Sequence, residues 1–93
     1  MSAVTWPAIL VLGRDTCEDS TRSRAHLRAR DIPFVYRNVE FDPEADAINR
    51  SYNSGVRVTP VILIGDPKHP GRVLIEPSDD ELDAAIAEVA AGG

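Results

Sequence analysis

The sequence predicts an α/β domain on a mixed four-stranded sheet, with its elements in the order β-α-β-α-β-β-α. Three observations carry this. The unbroken apolar runs Ala8 to Leu12 and Val61 to Ile64, bounded by Pro and Gly, have the length of strands buried on both faces. Helix-forming segments separate the first three β-rich stretches, as β-α-β crossovers require. Only the short polar stretch Gly65 to Gly71 separates Ile64 from Arg72, so the last two strands form an antiparallel hairpin.

In chain order, the first strand, Ala8 to Leu12, lies between Pro7 and Gly13, and the chain then turns over Gly13 to Thr16. Glu18 to Arg30 is rich in helix formers, with Ala25, Leu27 and Ala29 as a thin apolar side, and Asp31-Ile32-Pro33 stops it. Phe34 to Val39 is rich in β-formers and is expected to lie parallel to the first strand, reached by a right-handed crossover. Asp42 is a good N-cap and Pro43 suits a first helical position, so a second helix runs through Glu44 to Tyr52 until Asn53-Ser54-Gly55 ends it. Val61 to Ile64 is the third strand. The loop Asp66 to Gly71, with two prolines, is expected to be the most variable feature, and Arg72 to Glu76 is the fourth strand. Ser78 and Glu81 have capping-box spacing with acids in the first turn, and Leu82, Ile86 and Val89 form the apolar seam of a last helix.

Composition narrows the function classes. Ninety-three residues fit one domain, 1–93, and no apolar stretch approaches the roughly 20 residues of a membrane span. Ten basic against 15 acidic residues, a net charge of -5, disfavour phosphate backbones. A soluble monomer with neither nucleic-acid nor membrane partners is expected. Met1 to Pro7 lacks the basic and uninterrupted apolar regions of an export leader, so the expected location is cytoplasmic. A single cysteine rules out an internal disulfide framework or a Cys-rich zinc site. His26 and His69 lack metal-ligand spacing, so packing or surface roles are expected for them and no metal. The stripe Arg22, Arg24, Arg28 and Arg30 reads as a solvated helix face paired with Asp19 or Asp31. Trp6 reads as an apolar cover for the sheet edge, with an exposed partner site as the alternative.

Cys17 is the residue with chemistry to offer. It follows the first strand and stands at the start of the first helix, where unpaired N–H groups favour a thiolate. An inert, buried small hydrophobe is the competing reading. Pro60 adds weight: a proline directly before an apolar strand suits a cis X-Pro turn whose exposed backbone can pair with an extended ligand, though a trans proline starting a strand has the same sequence.

Cys17-Glu18-Asp19-Ser20, Arg14 three residues before the cysteine, and Arg57-Val58-Thr59-Pro60 together resemble the glutaredoxin branch of the thioredoxin-like superfamily. There the motif is C-x-x-C or C-x-x-S, a basic residue precedes it, and R-T-V-P has the two middle residues exchanged. The resemblance runs from Ala8 to Val89. Asn53, Gly55, Pro60 and Ile62, then Leu74, Pro77-Ser78 and Leu82, are similar to the mycoredoxin-like and related bacterial members, whose tail typically reads L-x-x-P-S-x-x-E-L. It implies a thioredoxin-like fold with Cys17 as the nucleophile that attacks a disulfide. It also implies that the backbone of Thr59 beside Pro60 holds a low-molecular-weight thiol, that Arg14 and Arg57 face its carboxylate, and that Ser78 and Asp79 meet its far end. No tightly bound cofactor is implied. Glutathione or mycothiol serves as co-substrate, and disulfide-containing or thiolated proteins are the partners.

Four features depart from the family pattern. Ser20 in place of a second cysteine limits the chemistry to a monothiol cycle; its hydroxyl either donates to the Cys17 thiolate or caps the helix. Glu18 and Asp19 stand where proline or glycine and an aromatic are usual. Each carboxylate, at about 6 Å and an effective dielectric near 40, would oppose ionisation by about 1.4 kcal/mol. The helix end offers up to about 2 kcal/mol in return, leaving Arg14 and Arg22 to decide. Acids in a first helical turn also stabilise the helix itself, and their rim favours neutral or cationic partner surfaces. Glu76-Pro77 replaces a double glycine where backbone must approach the ligand closely, and Cys17-Glu18-Asp19-Ser20 does not resemble the C-G-F-S motif of iron–sulfur carriers. The expected function is a monothiol glutaredoxin-like oxidoreductase. The alternative is a redox-inactive binding module on the same fold.

Overall fold

The computed structural model describes residues 5–92. The elements are β1 (Ile9–Gly13), α1 (Glu18–Ala29), β2 (Val35–Asn38), α2 (Pro43–Ser51), β3 (Val61–Asp66), β4 (His69–Ile75) and α3 (Asp79–Gly92). The strands lie in the order β2-β1-β3-β4, with β1 parallel to β2 and antiparallel to β3, and β3 antiparallel to β4.

The apolar runs of β1 and β3 are unbroken because both faces of the sheet are covered. Successive side chains alternate between faces. Ile9 and Val11 of β1, with Ile62 and Ile64 of β3, pack with Leu27 of α1 and Leu82, Ala85 and Ile86 of α3; Trp6 and Phe34 cover the margin of this cluster. Leu10, Leu12, Val61 and Leu63 face the other way, onto Ala45 and Ile48 of α2. The result is three layers, with Gly13 carrying the chain from the central strand towards Cys17.

Caps follow the sequence closely. The carboxylate of Asp42 accepts from Ala45 N at 3.1 Å and takes two hydrogen bonds from Arg37 at 2.7 and 2.8 Å. Ser78 and Glu81 form a reciprocal capping box at 2.9 and 3.1 Å. Helix α1 is different. Ala25 and Ala29 are exposed, and the buried face is Ser20, Ser23 and Leu27. Small polar residues stand there because α1 lies close on the sheet: a Cβ added to Gly13 would come within 2.6 Å of Ser20 Oγ.

The segment Asp66 to Gly71 is not an open loop. Strands β3 and β4 continue across most of it and leave Pro67 and Lys68 at the turn. An irregularity at Ile64/Gly65 takes up the extra length, with Gly65 at φ 106°. Pro70 is accommodated because β4 is an edge strand.

Candidate functional site

The site forms where β1 ends. The chain turns with Cys17 N donating to Arg14 O at 3.2 Å, and Cys17 becomes the N-cap of α1. Its thiol is partly exposed and donates to Thr59 O at 3.5 Å, across a separation of 42 residues. The Thr59–Pro60 peptide is cis, and Pro60 O accepts from Glu76 N at 2.9 Å, tying the turn to the end of β4. Thr59 is buried, at 6 % exposure.

Arg14 joins both sides of the sulfur. Its backbone N–H donates to Ser20 Oγ at 3.3 Å, and its Nε donates to Thr59 Oγ1 at 3.3 Å. Burial pushes the Cys17 pKa up, but the hydroxyls of Ser20 and Thr59 and the N–H groups of Ser20 and Asp19 outweigh it, and the net shift is downward. Protonated, the sulfur closes no capping hydrogen bond. The N–H groups at the helix start therefore act chiefly on the thiolate. Of the two motif acids, Asp19 is paired with Arg22 at 2.8 Å and Glu18 is exposed.

The remaining residues singled out in the sequence fall into two groups. Ser78 and Asp79 open α3, which α1 holds against itself: Arg22 donates to Pro77 O at 3.3 Å, and His26 lies 3.6 Å from Asp79 and 2.9 Å from Asp83. The Asp79 carboxylate therefore already faces a histidine, and one of its oxygens is buried without a hydrogen-bond partner. Arg57 faces α2, where its Nε donates to Asp46 at 2.8 Å and its Nη2 approaches Val39 O at 3.5 Å. Arg50 holds the other oxygen of Asp46 at 3.0 Å. The Arg57 charge is thus engaged by Asp46 and directed at α2, and no contact joins it to Cys17, Arg14 or Thr59.

Two positioning groups escaped the sequence. Asn49, wholly buried in α2, bonds both backbone polar groups of Val58. Tyr36 donates to Asp15 at 2.7 Å, with the Arg24 guanidinium 3.6 Å from its ring centroid, and so braces the turn that carries Cys17. Burial, and then the Asp15 carboxylate, push the Tyr36 pKa to about 12, so it stays a neutral donor. An asparagine on the buried side of the amphipathic helix α2, in register with Ala45, is the one signal for Asn49; Tyr36 gives none. Elsewhere in the arginine stripe, Arg30 pairs with Asp83 instead of Asp31, and Arg28 lies over Phe34. Among the described residues, no group of three or more His, Cys, Asp or Glu is arranged to hold a metal ion. A groove of about 710 Å³, lined by Trp6, Pro7, Phe34, Val35 and Ile48, lies at the Ile9 end of β1 and includes none of these site residues.

A cysteine at the start of α1 thus faces a threonine that precedes a cis proline. The family model for glutaredoxin matches residues 9–69. The chain belongs to the glutaredoxin family. Its fold is similar to the crystal structure of the glutaredoxin grx-1 from Archaeoglobus fulgidus, with TM-score 0.66 and 19% identity over 86% of each chain. It is similar also to the solution structure of glutaredoxin from Brucella melitensis, with TM-score 0.61 and 21% identity over 98% of this chain and 90% of that one. No curated protein matches the sequence. The glutaredoxin membership accounts for the mixed sheet, the three helices and the thioredoxin-like fold.

Proposed function

We propose that this glutaredoxin-family chain is a monothiol thiol–disulfide oxidoreductase of mycoredoxin-like type that acts on mixed disulfides between proteins and a small thiol. The observation that carries the reading is the position of Cys17, capping α1 and facing Thr59 among groups that lower its pKa. A thiolate there is both more abundant at neutral pH and partly exposed to a disulfide.

The cycle needs no second cysteine. The Cys17 thiolate attacks the small-thiol sulfur of a protein mixed disulfide; the Cys17–small-thiol bond forms, the protein–sulfur bond breaks, and the protein leaves as a thiolate that takes a proton from solvent. A second small-thiol thiolate then attacks the bound small-thiol sulfur. The oxidised small-thiol dimer departs and Cys17 leaves as the thiolate. Glutathione or mycothiol supplies the two electrons and no cofactor stays bound. With glutathione, Arg14 meets a carboxylate, and with either thiol the Thr59–Pro60 turn meets the peptide-like part while Ser78 and Asp79 meet the far end. Arg57, balanced by Asp46, makes the weakest of these contacts.

The test is turnover of a peptide mixed disulfide with glutathione or with mycothiol, beside the Cys17→Ser variant. Turnover with one thiol, absent in Cys17→Ser, is expected. A folded wild type with a reactive thiol and no turnover with either would turn the reading to a binding module.

A further inference from the structure

The groove of about 710 Å³ at the Ile9 end of β1 takes no part in the thiol chemistry. It exists because α2 covers only part of its sheet face. Asn49 ties that helix to Leu12 O and Val58, towards the Gly13 end of β1. At the other end Val35, level with Leu10 in the parallel register, is left 59% exposed. Four segments wall this uncovered end: Trp6 before β1, Pro33, Phe34 and Val35 at the start of β2, Ile48 of α2, and Lys68 in the β3–β4 turn. A volume of this size suits one small molecule, and the side chains lining it are apolar apart from Arg37, Glu44 and Lys68.

Those three charges are not equivalent. Arg37 lies 3.2 Å from Glu44 and also donates twice to Asp42, so its charge and that of Glu44 are engaged. Across the molecule, seven of the nine arginines have a carboxylate within 3.5 Å, and an eighth, Arg14, donates to Thr59. Among the described residues, Lys68 and the remaining arginine, Arg28, pair with no carboxylate. Both border this groove: Lys68 lines it, and the Arg28 guanidinium lies 5.6 Å from the ring centroid of Phe34. Asp66, two residues before Lys68, accepts its backbone N–H at 2.9 Å. In a chain of net charge -5, the two cations without a carboxylate partner or a tie to Thr59 thus stand at one apolar groove.

We propose that the groove binds a small amphipathic carboxylate, its apolar body against Trp6, Phe34, Val35 and Ile48 and its anionic head on the Lys68 ammonium, with Arg28 adding positive charge beyond Phe34. A neutral apolar molecule leaves the ammonium unused, and a cationic one is repelled by it. The site lies away from Cys17, so the inference is independent of the proposed function, and Cys17→Ser should bind the same ligand equally well.

Trp6 is the sole tryptophan, and its emission reports on the groove it lines. The measurement is titration with decanoate, beside decanol and decyltrimethylammonium, followed by Trp6 emission and by amide chemical shifts in NMR spectra. A saturable response to decanoate is expected, with shifts centred on Ala8 to Leu10, Phe34, Val35, Ile48 and Lys68, weaker binding of decanol and none of the ammonium. Lys68→Met should weaken decanoate about three- to fivefold without affecting decanol, and Lys68→Arg should keep it. Val35→Asp should abolish binding of both; the two substituted positions are exposed, so the fold is retained. The absence of a saturable response overturns the proposal. So does decanoate binding that Lys68→Met leaves unchanged, or shifts spread along the whole chain, as detergent action would give. The same local shifts on concentrating the protein without decanoate would assign the groove to a second copy of the chain, and overturn it too.

Discussion

Asn49 grips Val58 by both of its backbone polar groups, donating from Nδ2 to the carbonyl at 2.6 Å and accepting the N–H on Oδ1 at 3.0 Å. Nδ2 also lies 3.5 Å from Leu12 O, so one buried amide ties the end of β1 to the residue before Thr59. Removing it strands two backbone groups. Asn49→Leu should cost about 2 kcal/mol or more, read as a lower urea midpoint with an unchanged slope. A midpoint equal to wild type would show that the Val58 groups find other partners.

Acid should unfold the protein through its paired carboxylates. Arg57, then Arg50, hold Asp46 below the ordinary carboxylate range; Arg37, then Ala45 N–H, do so for Asp42; and the Ser78 backbone N–H, then its hydroxyl, for Glu81. A carboxyl whose pKa is lower in the folded state contributes stability that is complete above its unfolded pKa and disappears as pH falls through the folded value. The urea midpoint should therefore stay level down to about pH 5 and fall below about pH 4. Asp46→Asn should lower it at neutral pH and flatten part of the acid slope. An acid slope unchanged in both Asp46→Asn and Asp42→Asn would assign acid unfolding to other groups.

Gly13 sits where α1 approaches the sheet. A Cβ there would lie 2.6 Å from Ser20 Oγ, 2.9 Å from Ser20 Cβ and 3.3 Å from Tyr36 Cε1. The obstructing atoms belong to a short side chain fixed on the helix, so relief requires α1 to move. Gly13→Ala should cost about 1–3 kcal/mol in thermal unfolding, and Gly13→Ala/Ser20→Gly should recover part of it despite the glycine in the helix. Equal stability of the single variant and wild type would mean that α1 shifts freely.

What the sequence disclosed depended on how each group meets its neighbours. Strands β1 and β3 were legible because burial on both faces leaves an uninterrupted apolar run, and α2 and α3 because Asp42, Pro43 and the Ser78–Glu81 pair act within one helical turn. The buried side of α1 was not. Close approach selects Ser20 and Ser23 there, while hydropathy points to Ala25 and Ala29. The turn after β3 is shorter than the sequence suggests, because a bulge at Gly65 has no distinct signature beside two prolines. In the site, Cys17 and Pro60 stood out by their place next to β-rich runs. The partnership of Arg57 with Asp46 and the grip of Asn49 on Val58 join segments about ten residues apart, and no local pattern encodes such pairings.

The axis of β1 separates the two side chains that are easiest to label. The sole cysteine, Cys17, follows its Gly13 end, and the sole lysine, Lys68, turns at the Ile9 end, where Gly65 N bonds Ala8 O. Thiol and ε-amine reagents therefore address opposite poles of the molecule without any engineered residue. A dye on Lys68, paired with a chromophore carried by the small thiol, would report on occupancy at the sulfur by energy transfer while leaving the reacting end untouched.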